Sequence, residues 1–448
     1  MRVDVRTIGA LCILIVSTFH ATATDVALSR FTSIKQTQVR EYAQALPDKL
    51  PSIVWSFFDA VRVEDWETST NLAARLILAS GRYATAAADN DSLAAALHSA
   101  VWPPIAEVIG ANEQFHNWDN RLLHRFGKDI INSIPKAGIY FGGTDAGRFI
   151  ISALCTSQPD GDPFFTLTQN QLADQAYLDY LRKMYGGKIT LPSEEDVRDI
   201  FNQYLAEAQR RLKEGLLKPG ENVRMVNNRV QVSGHVAVME INARLARLIV
   251  DNNPNHEVYV EESFPLDWMY PRLSPHKLIF KLESKPLNEL DTETLQQDHD
   301  YWRTLLSELI GKWLSDETPA AELCNFVTRI YQRKDYAEFK GDLGFAKNSE
   351  AQTCFSKLRS AQAALYAWRA TNAAENTLKL RMQQAAENAY RQAYALCPTL
   401  PETISGYTSL LLQLNRPDEA FLLAKTSLRL DPDSARLQSL VRTLNAHD

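Results

Sequence analysis

Apolar residues recur at helical spacing from residue 24 to about 134, with no strand-like alternation. Ser52 to Val61 concentrates Ile53, Val54, Trp55, Phe57 and Phe58. Trp66, Leu72, Leu76 and Leu78 mark a second helix. Ser92 to Val101 opens a third, which Pro103-Pro104 interrupts, and Ile105 to Ile131 continues at helical spacing. A helical N-terminal region over 24–134 is expected.

The pattern changes at Ile134-Pro135. Gly138-Ile139-Tyr140-Phe141 is short, apolar and aromatic and meets Gly142-Gly143, as a buried strand ending in a tight turn does. Phe149 to Leu154 reads as a helix, Pro163 to Leu167 as a second strand, and Gln171 to Met184 and Ser193 to Leu212 as helices. Val223 to Val232 reads as a hairpin turning at Asn227-Asn228. Val236 to Val250 is helical, Glu257 to Val260 a third strand and Lys277 to Leu282 a fourth. Strands alternating with helices predict an α/β domain over 135–290 with a largely parallel sheet. Thr292 to Leu314 is a polar helix within a helical bridge over 291–354.

From Phe355 the chain is helical and rich in Ala. Pro398 and Pro432 stand one 34-residue period apart, with Ala386 and Ala420, then Ala393 and Ser427, at matched offsets before them. Small residues let two antiparallel helices pack closely, and the proline stops the second. This is the period of a tetratricopeptide repeat, expected over 355–448, with Asn372 to Leu380 lengthening the first inter-helix turn. The fold class expected is therefore α/β plus all-α. With only two clear units, the repeats should lean on the rest of the protein.

Composition changes this picture mainly at the start. Arg2 and Arg6 precede an uncharged, mainly apolar stretch, Thr7 to Phe19, and Ala21-Thr22-Ala23 supplies small residues for signal cleavage. Residues 1–23 are read as an export signal, with an uncleaved anchor as the alternative, and the mature chain as periplasmic or extracellular and, after cleavage, not integral to a membrane. Cys12 follows Leu11 inside the apolar stretch, which argues against a lipoprotein. The chain is 45% hydrophobic and 23% charged, with a net charge of −6 and no long basic run. It reads as globular and not as a nucleic-acid binder. Cys155, Cys324, Cys354 and Cys397 form no CxxC. Buried thiols and a disulfide both remain open, with Cys324–Cys354 the preferred pair.

The leading candidate chemistry lies at Gly142-Gly143-Thr144-Asp145-Ala146-Gly147-Arg148, after a strand and before a helix. Free backbone N–H groups there favour an anion. The glycine spacing is that of a phosphate loop, but Arg148 stands in place of Lys and Phe149 in place of Ser or Thr, which argues against a triphosphatase. Thr168-Gln169-Asn170 follows the second strand and Glu261-Glu262-Ser263 the third. Ligands bind outside the carboxyl ends of open parallel sheets, so the three clusters together predict a small-ligand site. Adjacent Glu261 and Glu262 would point to opposite faces of a strand and make no ready acid/base pair. A packing role also stays open, with Asp145 as helix cap and an Arg148–Glu262 ion pair. His116, Asp119 and His124 read as a packed helix face and Arg210, Arg211 and Lys213 as a solvated one. No metal or cofactor is called for. The chain has no HExxH, GxSxG or GxGxxG motif.

The run Ile139 to Phe149 resembles that of a family of exported bacterial tetratricopeptide-repeat proteins. Thr168-Gln169-Asn170, Tyr259-Val260-Glu261-Glu262-Ser263 and Phe355-Ser356-Lys357-Leu358-Arg359 match it too. More distantly, residues 139 to 285 are similar to the soluble domain that follows the membrane bundle in some glycosyltransferase-like proteins. This chain lacks that bundle, so the likeness implies the α/β fold and not transferase activity. From the nearer family no activity carries over. The expectation is an exported binding or scaffold protein, with another protein held by the repeats and an anionic or carbohydrate ligand held by the α/β domain. An enzyme acting on phosphorylated or carbohydrate substrates is the alternative.

Overall fold

The computed structural model describes residues 26–81, 91–156, 161–227, 229–262 and 267–445. The expected export signal, Asn228 and Ser263 lie outside them. Among the described residues no helix is long and apolar enough to cross a membrane.

The chain is a mixed α/β protein with helical regions on either side of a small sheet. Its strands are β1 (Ile139–Gly142), β2 (Phe165–Thr168), β3 (Asn222–Val226), β4 (Arg229–Ser233), β5 (Val258–Val260), β6 (Leu273–His276) and β7 (Ile279–Leu282). Five of them form one sheet in the order β2-β1-β5-β7-β6, and β3 and β4 pair separately as the expected hairpin. β1 runs parallel to β2 and β5, whereas β7 runs antiparallel to both β5 and β6. The expectation of a largely parallel sheet is corrected to a mixed one. The reason is local: only Lys277 and Leu278 join β6 to β7, with Lys277 at φ 55°. So short a link cannot make a parallel crossover. Pro275 hid β6 in the sequence, and the proline is tolerated because β6 is an edge strand.

Every residue of β1 and β5 is buried, because helices cover both faces of the sheet. On one face Tyr140, Tyr259 and Ile279 join a core that continues through Trp302 and Phe355 to Tyr407 and Leu423. On the other, Ile139, Phe141, Val260 and Phe280 pack against Leu178, Leu181, Leu245 and Ile249 of the helices Gln175–Tyr185 and His235–Asn252. The first helices enclose a third core around Phe31, Phe57, Leu76 and Ile105.

Helix ends account for the other departures. Pro103-Pro104 opens the helix Trp102–Asn117 instead of interrupting one, since proline fits the first helical positions. The expected continuous helix to Ile131 breaks at Trp118, and Asp119 caps the next, its carboxylate accepting from Leu122 N. Helix Glu194–Glu214 carries a Ser193–Asp196 capping box and ends on left-handed Gly215. The bridge helix stops at Leu309, before Gly311 at φ 87°.

The C-terminal helices are Ser349–Thr371, Asn376–Leu396, Pro401–Gln413, Pro417–Leu430 and Ala435–Asn445. Ala386, Ala393, Ala420 and Ser427 are all fully buried, so the matched small positions are helix contacts. The first inter-helix turn is not lengthened: helix begins again at Asn376, and the extra residues lie in the helices, which run to 23 and 21 residues. Helix Ser349–Thr371 is bonded to the sheet through Gln362 Nε2 to Lys277 O (2.8 Å) and Arg369 Nη2 to Leu273 O (3.0 Å). Buried Arg359 pairs with Asp298 of the bridge helix at 2.7 Å, and Tyr366 donates to the same carboxylate.

The four described cysteines are free thiols, and Cys324–Cys354 is not a disulfide. Cys324 lies beside Leu422, while Cys354 lies among the charges of Glu261, Glu350 and Lys357. Among the described residues no group of three His, Cys, Asp or Glu side chains could hold a metal. His116 stacks on Trp66 with ring centroids 3.7 Å apart. Arg211 is not part of a solvated face: it pairs with Glu221, whose side chain is wholly buried and also accepts from Tyr204.

Candidate functional site

The register brings the three expected clusters to one edge. Gly142 pairs with Thr168, and Phe141 with Val260, so β1, β2 and β5 end together. Neighbouring strands lie about 4.8 Å apart, which puts the outer two strand ends about 10 Å apart.

The amides of the glycine turn are not free, which corrects the expectation of an open anion site. Glu261, 1% exposed, accepts from Gly143 N at 2.7 Å and Thr144 N at 2.8 Å, and Thr144 Oγ1 donates to its other oxygen. The cause lies in the sheet. β5 is the neighbour of β1, and its next residue is a glutamate. A carboxylate taken out of water requires donors, and the turn has the nearest ones. Burial pushes the Glu261 carboxyl above its usual range, while the bonds from Thr144 and Gly143 pull it back. Gly147 is required here because a Cβ would overlap the Glu261 carboxyl. Gly142 allows another close approach, since its Cβ would lie 3.0 Å from Gly147 O.

Asp145 makes no capping bond. Thr144 does so instead, its Oγ1 accepting from Gly147 N at 2.9 Å. A π-helical turn, Ala146–Ile150, follows and continues as helix Ile151–Thr156. Arg148 pairs with Asp145 and not with Glu262, and its guanidinium lies over the Phe149 ring at 4.5 Å. Glu262 faces Lys357 Nζ at 3.6 Å, long for a hydrogen bond. Burial pushes the Glu262 carboxyl up to about 8; Lys357 opposes this, and Glu261 and Glu402 add to it. The two glutamates diverge as expected, one into the turn and one towards the C-terminal helices.

On β2, Thr168 N donates to Tyr177 Oη at 2.6 Å. Gln169 is buried and opens a single 3₁₀ turn, Gln169–Gln171. Asn242 holds that turn, donating to Asn170 O at 3.3 Å and accepting from Ala173 N at 2.8 Å. Three buried polar atoms at this edge have no hydrogen-bond partner: Arg148 Nε, Asn170 Oδ1 and Glu262 Oε2.

Sequence reasoning missed Lys357, Tyr177 and Asn242 as parts of the edge. Lys357 lies in the run Phe355 to Arg359, singled out by resemblance but assigned wholly to the repeats. Tyr177 and Asn242 lie on helices whose positions were legible but whose docking against β2 was not. Glu113 was missed too. Burial, with Asp145 and Glu350 close by, pushes its carboxyl up. Comparison of the chain with family models, with curated proteins and with solved structures found no match in any of the three.

Proposed function

We propose that this chain is an exported binding protein whose sheet edge takes a small, uncharged, hydroxyl-rich ligand of the carbohydrate type. Its C-terminal hairpins, of the tetratricopeptide type, would buttress that edge and offer their outer helices to another protein. The observation that carries the ligand reading is the set of buried polar atoms at the edge that make no hydrogen bond, one of which, Glu262 Oε2, faces Lys357 Nζ at 3.6 Å. One is a donor (Arg148 Nε), one an amide oxygen (Asn170 Oδ1) and one a carboxyl oxygen (Glu262 Oε2). Buried polar atoms cost free energy unless bonded, and alternating donors and acceptors match hydroxyl groups. An anion fits worse. The amides of Gly143 and Thr144 are occupied by Glu261, Arg148 is paired with Asp145, and Lys357 already has the carboxyls of Glu261, Glu262 and Glu402 close to it.

Glu261 is engaged by the turn and is no free base or nucleophile, which weakens the enzyme alternative. Export rests on the charged start and short apolar stretch of the sequence. The first hairpin has its long helix bonded to the sheet. The surface left for a protein partner is therefore that of Pro401–Gln413, Pro417–Leu430 and Ala435–Asn445.

Thermal-shift titration with a panel of neutral oligosaccharides and with inorganic phosphate tests the ligand reading. A saturable shift with a neutral sugar, lost in Asn170→Ala without loss of the unliganded Tm, is expected. A shift with phosphate alone, or with nothing in the panel, would count against it.

A further inference from the structure

The loop between helices Thr292–Leu309 and Ala320–Val327 separates two cavities, of about 430 and 550 Å³, that share Ser307, Gly311 and Lys312. Both volumes lie in the usual range for small-ligand sites, about 300–1,000 Å³. The smaller has an apolar wall of Ile310, Trp313, Phe326 and Phe339. Trp313 stacks on Phe326 with ring centroids 4.1 Å apart, and Phe339 lies 6.4 Å from Phe326. The larger continues past Lys312 and is more polar, with His299, Arg303 and Asp316 in its wall.

The walls are fixed by backbone. Asp342 N donates to Leu309 O at 3.0 Å, and a Cβ at Gly341 would run into Leu309 O and Ile310 Cα. Gly311, at φ 87°, passes so close that its Cβ position lies 3.5 Å from Lys340 Cβ. Lys312 and Lys340 therefore leave from adjacent backbone. Both are exposed, both line the smaller cavity, and neither has an acidic partner among the described residues. Of the acids in the two walls, Glu338 lies 4.0 Å from Arg329, Asp316 accepts from His299 at 2.9 Å, and Glu317 is exposed on the side of the larger cavity. The Trp313 indole N–H is buried and has no hydrogen-bond partner.

An apolar cavity with two unpaired ammonium groups at its rim and an unmatched N–H donor in its wall has complementarity to one kind of molecule. We propose that it binds a small amphipathic carboxylate. The hydrocarbon or aromatic part lies against Trp313, Phe326, Ile310 and Phe339, and the carboxylate sits between Lys312 and Lys340. Lys312 also lines the larger cavity, so the head group lies where the two cavities meet and stays in reach of water. This site is separate from the sheet edge and stands whether or not that edge binds a sugar.

Isothermal titration of the full chain with sodium octanoate, 1-octanol and octylammonium chloride tests the proposal. The three probes share a tail and differ in head-group charge. Saturable octanoate binding is expected, about tenfold or more tighter than either of the others. The double variant Lys312→Ala/Lys340→Ala should weaken octanoate by about tenfold or more. Both positions are exposed, so its circular dichroism and melting curve should match those of the parent. Equal binding of octanol would reduce the site to an unspecific apolar hole and overturn the proposal. So would the absence of saturable octanoate binding, or a double variant that binds octanoate like the parent.

Discussion

A carboxylate largely removed from water must find donors or a proton, and at the sheet edge the neighbours Glu261 and Glu262 take one solution each. Glu261 is fastened to the glycine turn, where Gly147 leaves it room. Gly147→Ala should destabilise the protein by about 1–3 kcal/mol through overpacking, and Glu261→Ala by a similar amount through the amides it leaves unmatched. Because the two changes act on one contact, the double variant should cost less than their sum, by about 0.5–3 kcal/mol. Urea unfolding measures this, and strictly additive costs would separate Gly147 from Glu261. Glu262 has Lys357 as its ion-pair partner at 3.6 Å, and burial raises its carboxyl from 4.5 to about 8. A group whose folded value is raised contributes fully below its unfolded value, and that contribution is lost as pH rises through the folded one. Stability should therefore fall between about pH 4.5 and pH 8, by at most about 1.4 kcal/mol per pH unit from this group. Glu262→Gln should flatten that decline. Parallel pH profiles for parent and variant would rule the assignment out.

Among the elements, what the sequence showed well was periodic or punctuated. The β1 run ends on glycines, the 34-residue interval places two hairpins, and Ser193 with Asp196 starts a helix. The failures have separate physical causes. Pro275 masks an edge strand whose pairing is decided by a two-residue turn. Asn372 to Leu380 looked like loop because polar residues hide a long amphipathic helix start. At the site, the convergence of three strand ends could be read from alternating elements. The filling of the turn by Glu261 could not, because it depends on which strand neighbours which. The hairpin contacts themselves are open to test. Ala420 is fully buried in the core shared with Tyr394 and Leu411. Ala420→Trp should cost about 1–3 kcal/mol, and an unchanged melting curve would remove Ala420 from the helix crossing.

For the whole molecule, the continuous core from Trp118 through the sheet to Leu444 implies that the hairpins do not unfold alone. Asp298 and Arg359 are buried beside it, with Tyr366 donating to the Asp298 carboxylate and Gln362 accepting from Arg359. Asp298→Ala leaves a buried guanidinium without its counter-charge, at a cost of about 3–5 kcal/mol. Hydrogen exchange should show the sheet and the C-terminal helices losing protection together. Early opening of the hairpins alone would contradict a shared core. The same tight assembly changes what the glycine turn is. β5 delivers Glu261 to the turn as a permanently attached competitor, and an attached group acts at a high effective concentration. A dissolved anion must outcompete that attached carboxylate to enter the turn. Untethering the contest, by Glu261→Ala, should convert a latent receptor into an open one. Inorganic phosphate should then raise the melting temperature of the variant in a saturable way and leave the parent unmoved. If both respond alike, the turn was never a receptor held shut by its own chain.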